Sequence, residues 1–512
     1  MVGDQPAQGV APEGPRALDY VLGSIPVFVV ALALYWSTLL PDVGLWDTAE
    51  WQAVGPVLGI AHPTGYPTYT LLAWLASVVL QPFGNEAYRA DLLSALLMSG
   101  AAGLLSVRLV LATRRVAVGL AAGLAFALTP VAWHWGVRAD PHALHVFLAA
   151  LTLVMLGAWA ARQVVDKRAA APWLVAAAAV FGISLGNHAL TLLLAPGIAA
   201  YVLLVAPRIL CQWRLVLTAT AVLALSAALV YLYLPLRSAM DPGLDYADPQ
   251  TWERFWYVVL GEQFQGSFGP LPSLALIGSG IWDELVHGFG LLAALAAAGA
   301  LLGLVRHPRL TILGLLWFGC TWFFALGYPN AAIERYYLVP LLVAALWVGL
   351  ALDAVAEAGA ELLDRRGRAR TGLVAGGVAA AALLLAVVPA VERHDSLDAS
   401  DETWGREILE ATFEAVEQDA VIISWWSFST PLWYGQHVEG RRPDVIVIDD
   451  RDLLDDGYGT VEVAIAAHLG ERPVYVIRLE RDLETLEEAY ELTPVPDVPL
   501  DLYRVDTTAK EE

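Results

Sequence analysis

Eleven stretches of this chain are long, apolar and almost free of charge, and they restrict its fold more than any other feature. They lie at about 21–40, 90–112, 116–132, 142–161, 173–187, 190–206, 215–236, 285–305, 310–327, 336–352 and 371–390. A helix needs about 20 apolar residues to cross a hydrocarbon core, because every backbone polar group must be satisfied inside the segment. The first run is too long for a signal-peptide core and no small-residue cleavage site follows it, so it reads as a retained span. The chain is therefore expected to be an α-helical polytopic membrane protein with about eleven transmembrane helices. A twelfth candidate, Tyr66 to Gln81, is decided by charge. If it stays on the surface, fifteen basic residues collect on one side, Arg114, Arg115, Arg365, Arg366 and Arg368 among them. Only Arg89, Arg138, Arg237, Arg254 and Arg335 remain on the other. Basic loops face the cytoplasm, so residues 1–20 are expected inside, Tyr66–Gln81 at the external interface and the C-terminus outside.

Charge also divides the chain. Residues 391–512 carry a net −20, against −2 for residues 1–390. The expected organisation is a cytoplasmic tail (1–20), a transmembrane domain (21–390) with external loops 41–89 and 237–284, and a small external acidic α/β domain (391–512). In that domain residues 402–418 have helical spacing, and 420–424, 445–448, 473–478 and 500–505 read as strands. Asp449-Asp450 follows a strand, and solvation explains it best in so acidic a domain. The whole chain has two lysines, Lys167 and Lys510. A lysine-poor acidic surface suits a high-salt environment, where self-repulsion is screened, although a GC-rich genome also favours Arg over Lys. Cys211 and Cys320 give neither a disulfide framework nor metal spacing, and no phosphate-binding glycine motif occurs. No nucleic-acid partner is expected.

Ionisable residues gather at the external ends of the spans: Asp47, Glu50, His62, Arg89, Arg138, His142, His188, Arg237, Glu262 and Arg335. Charged groups beside a bilayer are functional candidates. A transporter more often places its ion site at the midplane on broken helices, which favours a surface pocket here. Each residue also has a plainer reading. Asp47-Thr48-Ala49-Glu50 fits a capping box, His62 to Pro67 a tight loop, Arg237 a snorkelling flank and Asp248-Pro249 a helix start.

Taken in order, these segments resemble the protein O-mannosyltransferase-like family of GT-C membrane glycosyltransferases. The likeness is carried by Trp46-Asp47-Thr48-Ala49-Glu50 and by Gly59-Ile60-Ala61-His62-Pro63-Thr64-Gly65-Tyr66-Pro67-Thr68-Tyr69-Thr70. Tyr88-Arg89, Gly186-Asn187-His188, the run Tyr231 to Arg237 and Glu334-Arg335-Tyr336-Tyr337 extend it across residues 21–352. Thr48-Ala49 departs from the family's Ser-Gly, and Ala139-Asp140-Pro141-His142 from its usual residues.

The resemblance implies a GT-C-like fold and transfer of a sugar, mannose first among the candidates, from a polyprenyl- or dolichyl-phosphate donor. The acceptor would be a hydroxyl on an exported protein or glycan, attacked with inversion. Asp47 is then the expected base, with Glu50 orienting the acceptor or raising the Asp47 pKa. Arg237 and Arg335 would receive the leaving phosphate. His62, Tyr66, Tyr69, Arg89, Arg138, Asn187, His188 and Glu262 are the remaining substrate-binding candidates. No metal or other cofactor is expected, because no external cluster offers dense carboxylate ligands. The alternatives are a polytopic transporter or lipid flippase, and a scaffold that displays the acidic domain.

Overall fold

The computed structural model describes residues 16–507 apart from 271–272, 329–331, 364–368, 452, 454–456 and 479. The basic residues Arg365, Arg366 and Arg368, most of the N-terminal tail, and Lys510 lie outside the described residues.

The membrane part is a bundle of helices: α1 (Ala17–Ser37), α2 (Trp46–Val57), α3 (Pro67–Val79), α4 (Glu86–Thr113), α5 (Val116–Ala127), α6 (Pro130–Gly136), α7 (Pro141–Gln163), α8 (Lys167–Leu185), α9 (Ala195–Val205), α10 (Trp213–Tyr231), α11 (Tyr233–Ser238), α12 (Trp252–Val259), α13 (Leu274–Phe289), α14 (Leu292–Arg306), α15 (Pro308–Gly327), α16 (Leu338–Leu363) and α17 (Ala369–Glu392). Eight helical stretches are long and apolar enough to cross a membrane, and two bent pairs raise the number to ten among the described residues. The 69° bend between α5 and α6 falls where Pro130 opens a new helix, with the Thr129 hydroxyl capping Ala132. The 117° bend between α13 and α14 falls at Gly290, whose φ of +55° few side chains adopt. Residues 190–206 differ from the sequence expectation. They open as the 3₁₀ turn Ala189–Leu194 before α9, and the combined segment falls short of a crossing length. Helix α3 has 13 residues, about 20 Å of rise, too little to span a core of about 30 Å unaided.

Small residues bring the helices together. A Cβ at Gly299 of α14 would lie 1.8 Å from the Trp347 carbonyl oxygen of α16, so these two backbones nearly touch. On the charged face, Arg115 pairs with Asp353 and Glu357, and Arg306 with Glu357, tying α5 and α14 to α16.

The C-terminal part holds a five-stranded sheet ordered β2-β1-β3-β5-β4: β1 (Val421–Ile423), β2 (Ile446–Ile448), β3 (Val474–Ile477), β4 (Tyr490–Pro494) and β5 (Leu502–Thr507). Strand β1 runs parallel to β2 and β3, with Val421 opposite both Ile446 and Val474. Strands β3, β5 and β4 run antiparallel. The sequence pattern had no β4, because Tyr490–Pro494 is an edge strand with little apolar burial. Alternation sends Ile422 to one apolar cluster and Val421 and Ile423 to another. The Ile422 cluster also contains Val43, Ala49, Ala53 and Ala87 of the membrane part, so the acidic domain is docked on the segment between α1 and α4. Polar contacts fasten the same seam: Arg406 donates to Asp42 at 2.7 Å, Thr430 to the Trp46 carbonyl at 2.8 Å, and the Ala87 amide to the Tyr434 hydroxyl at 3.2 Å. Asp449 is fully buried and accepts the Arg451 amide, which overturns the solvation reading for it, whereas Asp450 is exposed as expected and pairs with Arg478.

Candidate active site

Asp47 lies in the first turn of α2, but Leu45 is the N-cap and no side chain caps this helix, so the capping-box reading of Asp47 and Glu50 fails. The carboxylate is turned to long-range partners instead. Asp47 Oδ2 accepts from Arg335 Nη2 at 2.6 Å, and Oδ1 accepts from Trp426 Nε1 at 2.7 Å. Burial alone would raise this carboxyl, but the Arg335 charge, the nearby His62 and the two hydrogen bonds outweigh it and hold Asp47 well below the usual carboxylate range. The expectation that Glu50 raises the Asp47 pKa is therefore overturned, since a guanidinium is in contact and Glu50 is engaged elsewhere.

Glu50 is buried and both of its oxygens bind His62, one the backbone amide at 2.8 Å and the other ring Nδ1 at 2.5 Å. This pins the start of the His62–Pro67 block. Gly65 is needed inside it. Its φ is +79°, and a Cβ there would sit 2.9 Å from the Leu234 side chain. Tyr66 follows with φ +44° as the cap of α3, and its ring meets Trp51 at 4.7 Å and His188 at 5.3 Å.

Arg335 stands at the centre. Besides Asp47 it donates to Asp140 Oδ2 at 3.1 Å, and its Nε is buried without a hydrogen-bond partner among the described residues. Asp140 is the N-cap of α7 ahead of Pro141, and its other oxygen holds His142 Nδ1 at 2.8 Å. The ring centres of His142 and His188 are 4.5 Å apart, and the Nε2 atoms of both are buried without a partner among the described residues. Burial, together with neighbouring His142, His145 and Arg335, pushes His188 far below its ordinary pKa, so it is neutral at pH 7.

Two cavities meet at Asp47. One, of 530 Å³, lies between the domains and is lined by Trp46, Trp135, Arg138, Arg335, Trp404 and Trp426. The other, of 230 Å³, is aromatic, with His62, Tyr66, His142, His188, Phe264 and Tyr336 in its wall. Asp47, Arg335 and Arg451 line both.

The structure thus gathers Asp47, Glu50, His62, Tyr66, His188 and Arg335, with Arg138 at the edge of the interdomain cavity, paired to Glu402. The other sequence candidates are placed elsewhere. Arg237 donates to the carbonyls of Leu58 at 2.7 Å and Val57 at 3.1 Å, closing the far end of α2, about 15 Å of helix away from Asp47. Arg89 donates to the carbonyls of Phe83, Ser77 and Gly84 and closes the turn between α3 and α4. Tyr69 is fully buried behind Trp51, and Asn187 is buried and bonded to the Pro141 carbonyl. Glu262 is exposed, and its neighbours Gly261, Phe264 and Gln265 line the aromatic cavity in its place. Asp248-Pro249 starts no helix, because Thr251 is the cap of α12.

Asp140, Trp426 and Arg451 were missed in the sequence. Asp140-Pro141 carried a helix-start signal, but nothing local in Trp426 or Arg451 pointed to Asp47. The sequence also hid a group of metal-type donors. Asp47, Glu50 and His62 offer ligand atoms within 4.8 Å of one another. In the structure these side chains are engaged with other partners, Asp47 with Arg335 and Glu50 with His62.

The family described as "Protein O-mannosyl-transferase TMEM260 N-terminal domain" matches residues 47–209, a segment that opens on Asp47. The mouse (Mus musculus) protein O-mannosyl-transferase TMEM260 is 26% identical over 487 residues, covering 89% of this chain and 66% of the mouse protein. The chain thus spans just under two thirds of that relative's length. Among solved structures, ArnT from Cupriavidus metallidurans bound to undecaprenyl phosphate superposes with a TM-score of 0.60 at 14% identity, covering 96% of this chain and 99% of that one. The oligosaccharyltransferase AglB from Archaeoglobus fulgidus, in complex with an inhibitory peptide and a dolichol-phosphate, gives a TM-score of 0.53 at 13% identity, covering 96% and 74%. The likeness read from the segment after α1 therefore extends to the fold, which the chain shares with ArnT and AglB over nearly its whole length.

Proposed function

We propose that this chain, a GT-C-fold relative of the TMEM260 protein O-mannosyl-transferases, is a membrane glycosyltransferase that moves a hexose from a polyprenyl-phosphate donor to an acceptor hydroxyl. Mannose is the first candidate sugar, from the mouse relative's name. The single observation that carries the reading is one carboxylate, Asp47, shared by two cavities and held there by Arg335 and Trp426.

The chemistry follows from that arrangement. The acceptor hydroxyl occupies the interdomain cavity and attacks the anomeric carbon of a sugar held in the aromatic cavity. A bond forms between the acceptor oxygen and the anomeric carbon as the carbon–phosphate oxygen bond breaks on the opposite face, so configuration inverts. The phosphate leaves with the bonding pair, and Arg335 carries its charge. The hydroxyl proton passes to Asp47. Asp47 is a weak base while Arg335 is its own. A phosphate that engages Arg335 draws the guanidinium off and adds negative charge nearby, and both effects raise Asp47 when a base is needed. Glu50 acts through His62, and the unpartnered Nε2 atoms of His142 and His188 are free to meet sugar hydroxyls. The aromatic wall of Phe264, Phe324 and Tyr336 suits an isoprenoid neck. The charge census supports an external site with the acidic domain outside the cell.

The test is transfer from polyprenyl-phosphate [³H]mannose to Ser/Thr peptides or to glycan ends by the full chain in nanodiscs, with Asp47→Asn beside it. Label on the acceptor that is lost in the variant supports the reading. Equal labelling by both, or protein-dependent movement of the lipid without any transfer, defeats it.

A further inference from the structure

The acidic domain does more than cover the site. Its strand β2 is followed by Asp449, whose buried carboxylate accepts the Arg451 amide at 2.8 Å and sets the turn that carries this arginine inward. The Arg451 guanidinium carbon lies 3.2 Å from the Trp426 ring centre and 5.6 Å from that of Tyr246. Trp426 is the residue that donates to Asp47, and Tyr246 belongs to the external segment after α11. Aromatic contact of this kind occupies the faces of a guanidinium and leaves its N–H edge available.

Part of that edge has no partner among the described residues. Arg451 Nη1 is buried with no hydrogen-bond partner among the described residues, and the same holds for Arg335 Nε. Buried N–H groups of a charged side chain are costly to leave unpaired. Among the described residues, Asp47 is bonded to Arg335 through Nη2 and to Trp426, and Glu50 to His62, so neither is given to these spare donors. Both arginines line both cavities that share Asp47. Two guanidinium groups with spare buried donors beside the cavities that share one carboxylate call for an anion that the described residues do not supply.

We propose that Arg451 is a donor-binding residue: with Arg335 it forms a two-guanidinium site for the phosphate of the lipid-linked sugar, so that the acidic domain supplies half of the phosphate site. The proposal rests on the transferase reading for the identity of the anion. As the bond from the anomeric carbon to the phosphate oxygen breaks and the electron pair goes to that oxygen, the new charge is shared between Arg335 and Arg451. No proton donor to the leaving group is then required.

The test compares wild type with Arg451→Met, which keeps an unbranched apolar stem against Trp426, and with Arg451→Lys, which keeps the charge but not the fork. Binding of undecaprenyl phosphate to the full chain in nanodiscs is measured, with inorganic phosphate as competitor. Loss of one charge-assisted contact should weaken lipid-phosphate binding about tenfold or more in Arg451→Met and raise the donor KM, with the acceptor KM unchanged. Arg451→Lys should fall between, and its folding by thermal midpoint covers the case in which Arg451→Met does not fold. Wild-type affinity in either correctly folded Arg451→Met or, failing that, Arg451→Lys overturns the proposal. So does weaker lipid binding that inorganic phosphate still competes for as in wild type, because the defect would then lie along the lipid chain. A wild type that binds the lipid phosphate but transfers no hexose would sink the transferase reading while the binding comparison still decides Arg451.

Discussion

Arg335 donates through Nη2 to Asp47 Oδ2 at 2.6 Å, across 288 residues of sequence. Its Nη1 donates to Asp140 at 3.1 Å, so a single guanidinium spans a fully buried acid and one that faces two cavities. The buried acid holds Arg335 by its other nitrogen, so on the proposed mechanism a ligand that competes for the guanidinium loosens its contact with Asp47. Substituting Asp47→Asn is expected to lower kcat by about a hundredfold or more, because the asparagine cannot take the hydroxyl proton. Donor binding should survive. Trp426→Phe removes one hydrogen bond to Asp47 and should cost about tenfold or less. Single-turnover transfer from radiolabelled donor checks both.

The pH profile carries a sign. Asp47 is held below the usual carboxylate range in the free protein, so it stays ionised down to acidic pH and kcat/KM should show its acid limb well below pH about 4. With the donor bound, phosphate competes for Arg335 and the carboxyl rises, so the acid limb of kcat should lie at higher pH than that of kcat/KM. Coincident limbs would show that the donor leaves the Asp47–Arg335 pair untouched.

Both Glu50 oxygens bind His62, so on the proposed mechanism Glu50 acts as a positioning residue. Glu50→Gln keeps an acceptor for the His62 amide and should retain part of the activity. Glu50→Ala frees the ring and should raise the donor KM more than it lowers kcat. Measuring both constants for both variants separates this from a direct role in proton transfer, which would strike kcat in Glu50→Gln as hard as in Glu50→Ala.

Arg237 closes the carbonyl end of α2 and lines neither cavity at Asp47. Arg237→Met should lower thermal stability by about 1–3 kcal/mol, as carbonyls lose a charged donor, and leave the donor KM near wild type. A donor KM that rises as far as in Arg335→Met would restore it to the phosphate site.

The acidic domain carries a net −20 over residues 391–512. Raising salt from about 0.1 M to about 1 M shortens the screening length from about 10 Å to about 3 Å, so the thermal midpoint of the full chain should climb over that range. A flat response would remove the high-salt reading and leave Arg-for-Lys usage as a matter of base composition.

Much was legible in the chain itself. Membrane spans follow from the length of uncharged runs, because hydrocarbon thickness is a local demand on consecutive residues. Asp47, Glu50 and His62 fall within 16 residues, and their motif order pointed to one loop. The same closeness misled on detail. Asp47 and Glu50 read as a capping box, yet each carboxylate turned to a stronger partner that packing brought near. Arg237 and Arg335 looked alike as boundary cations, and only helix packing sent one to the loop carbonyls and the other to Asp47. Asp140 and Trp426 reach their partners Arg335 and Asp47 across 195 and 379 residues of sequence, and Arg451 meets Tyr246 across 205. Local pattern sets which segments become helix or strand and which face is apolar, since those depend on neighbours three or four residues apart. Which guanidinium meets which carboxylate depends on how helices cross and how the acidic domain docks, and that was decided only by the tertiary structure.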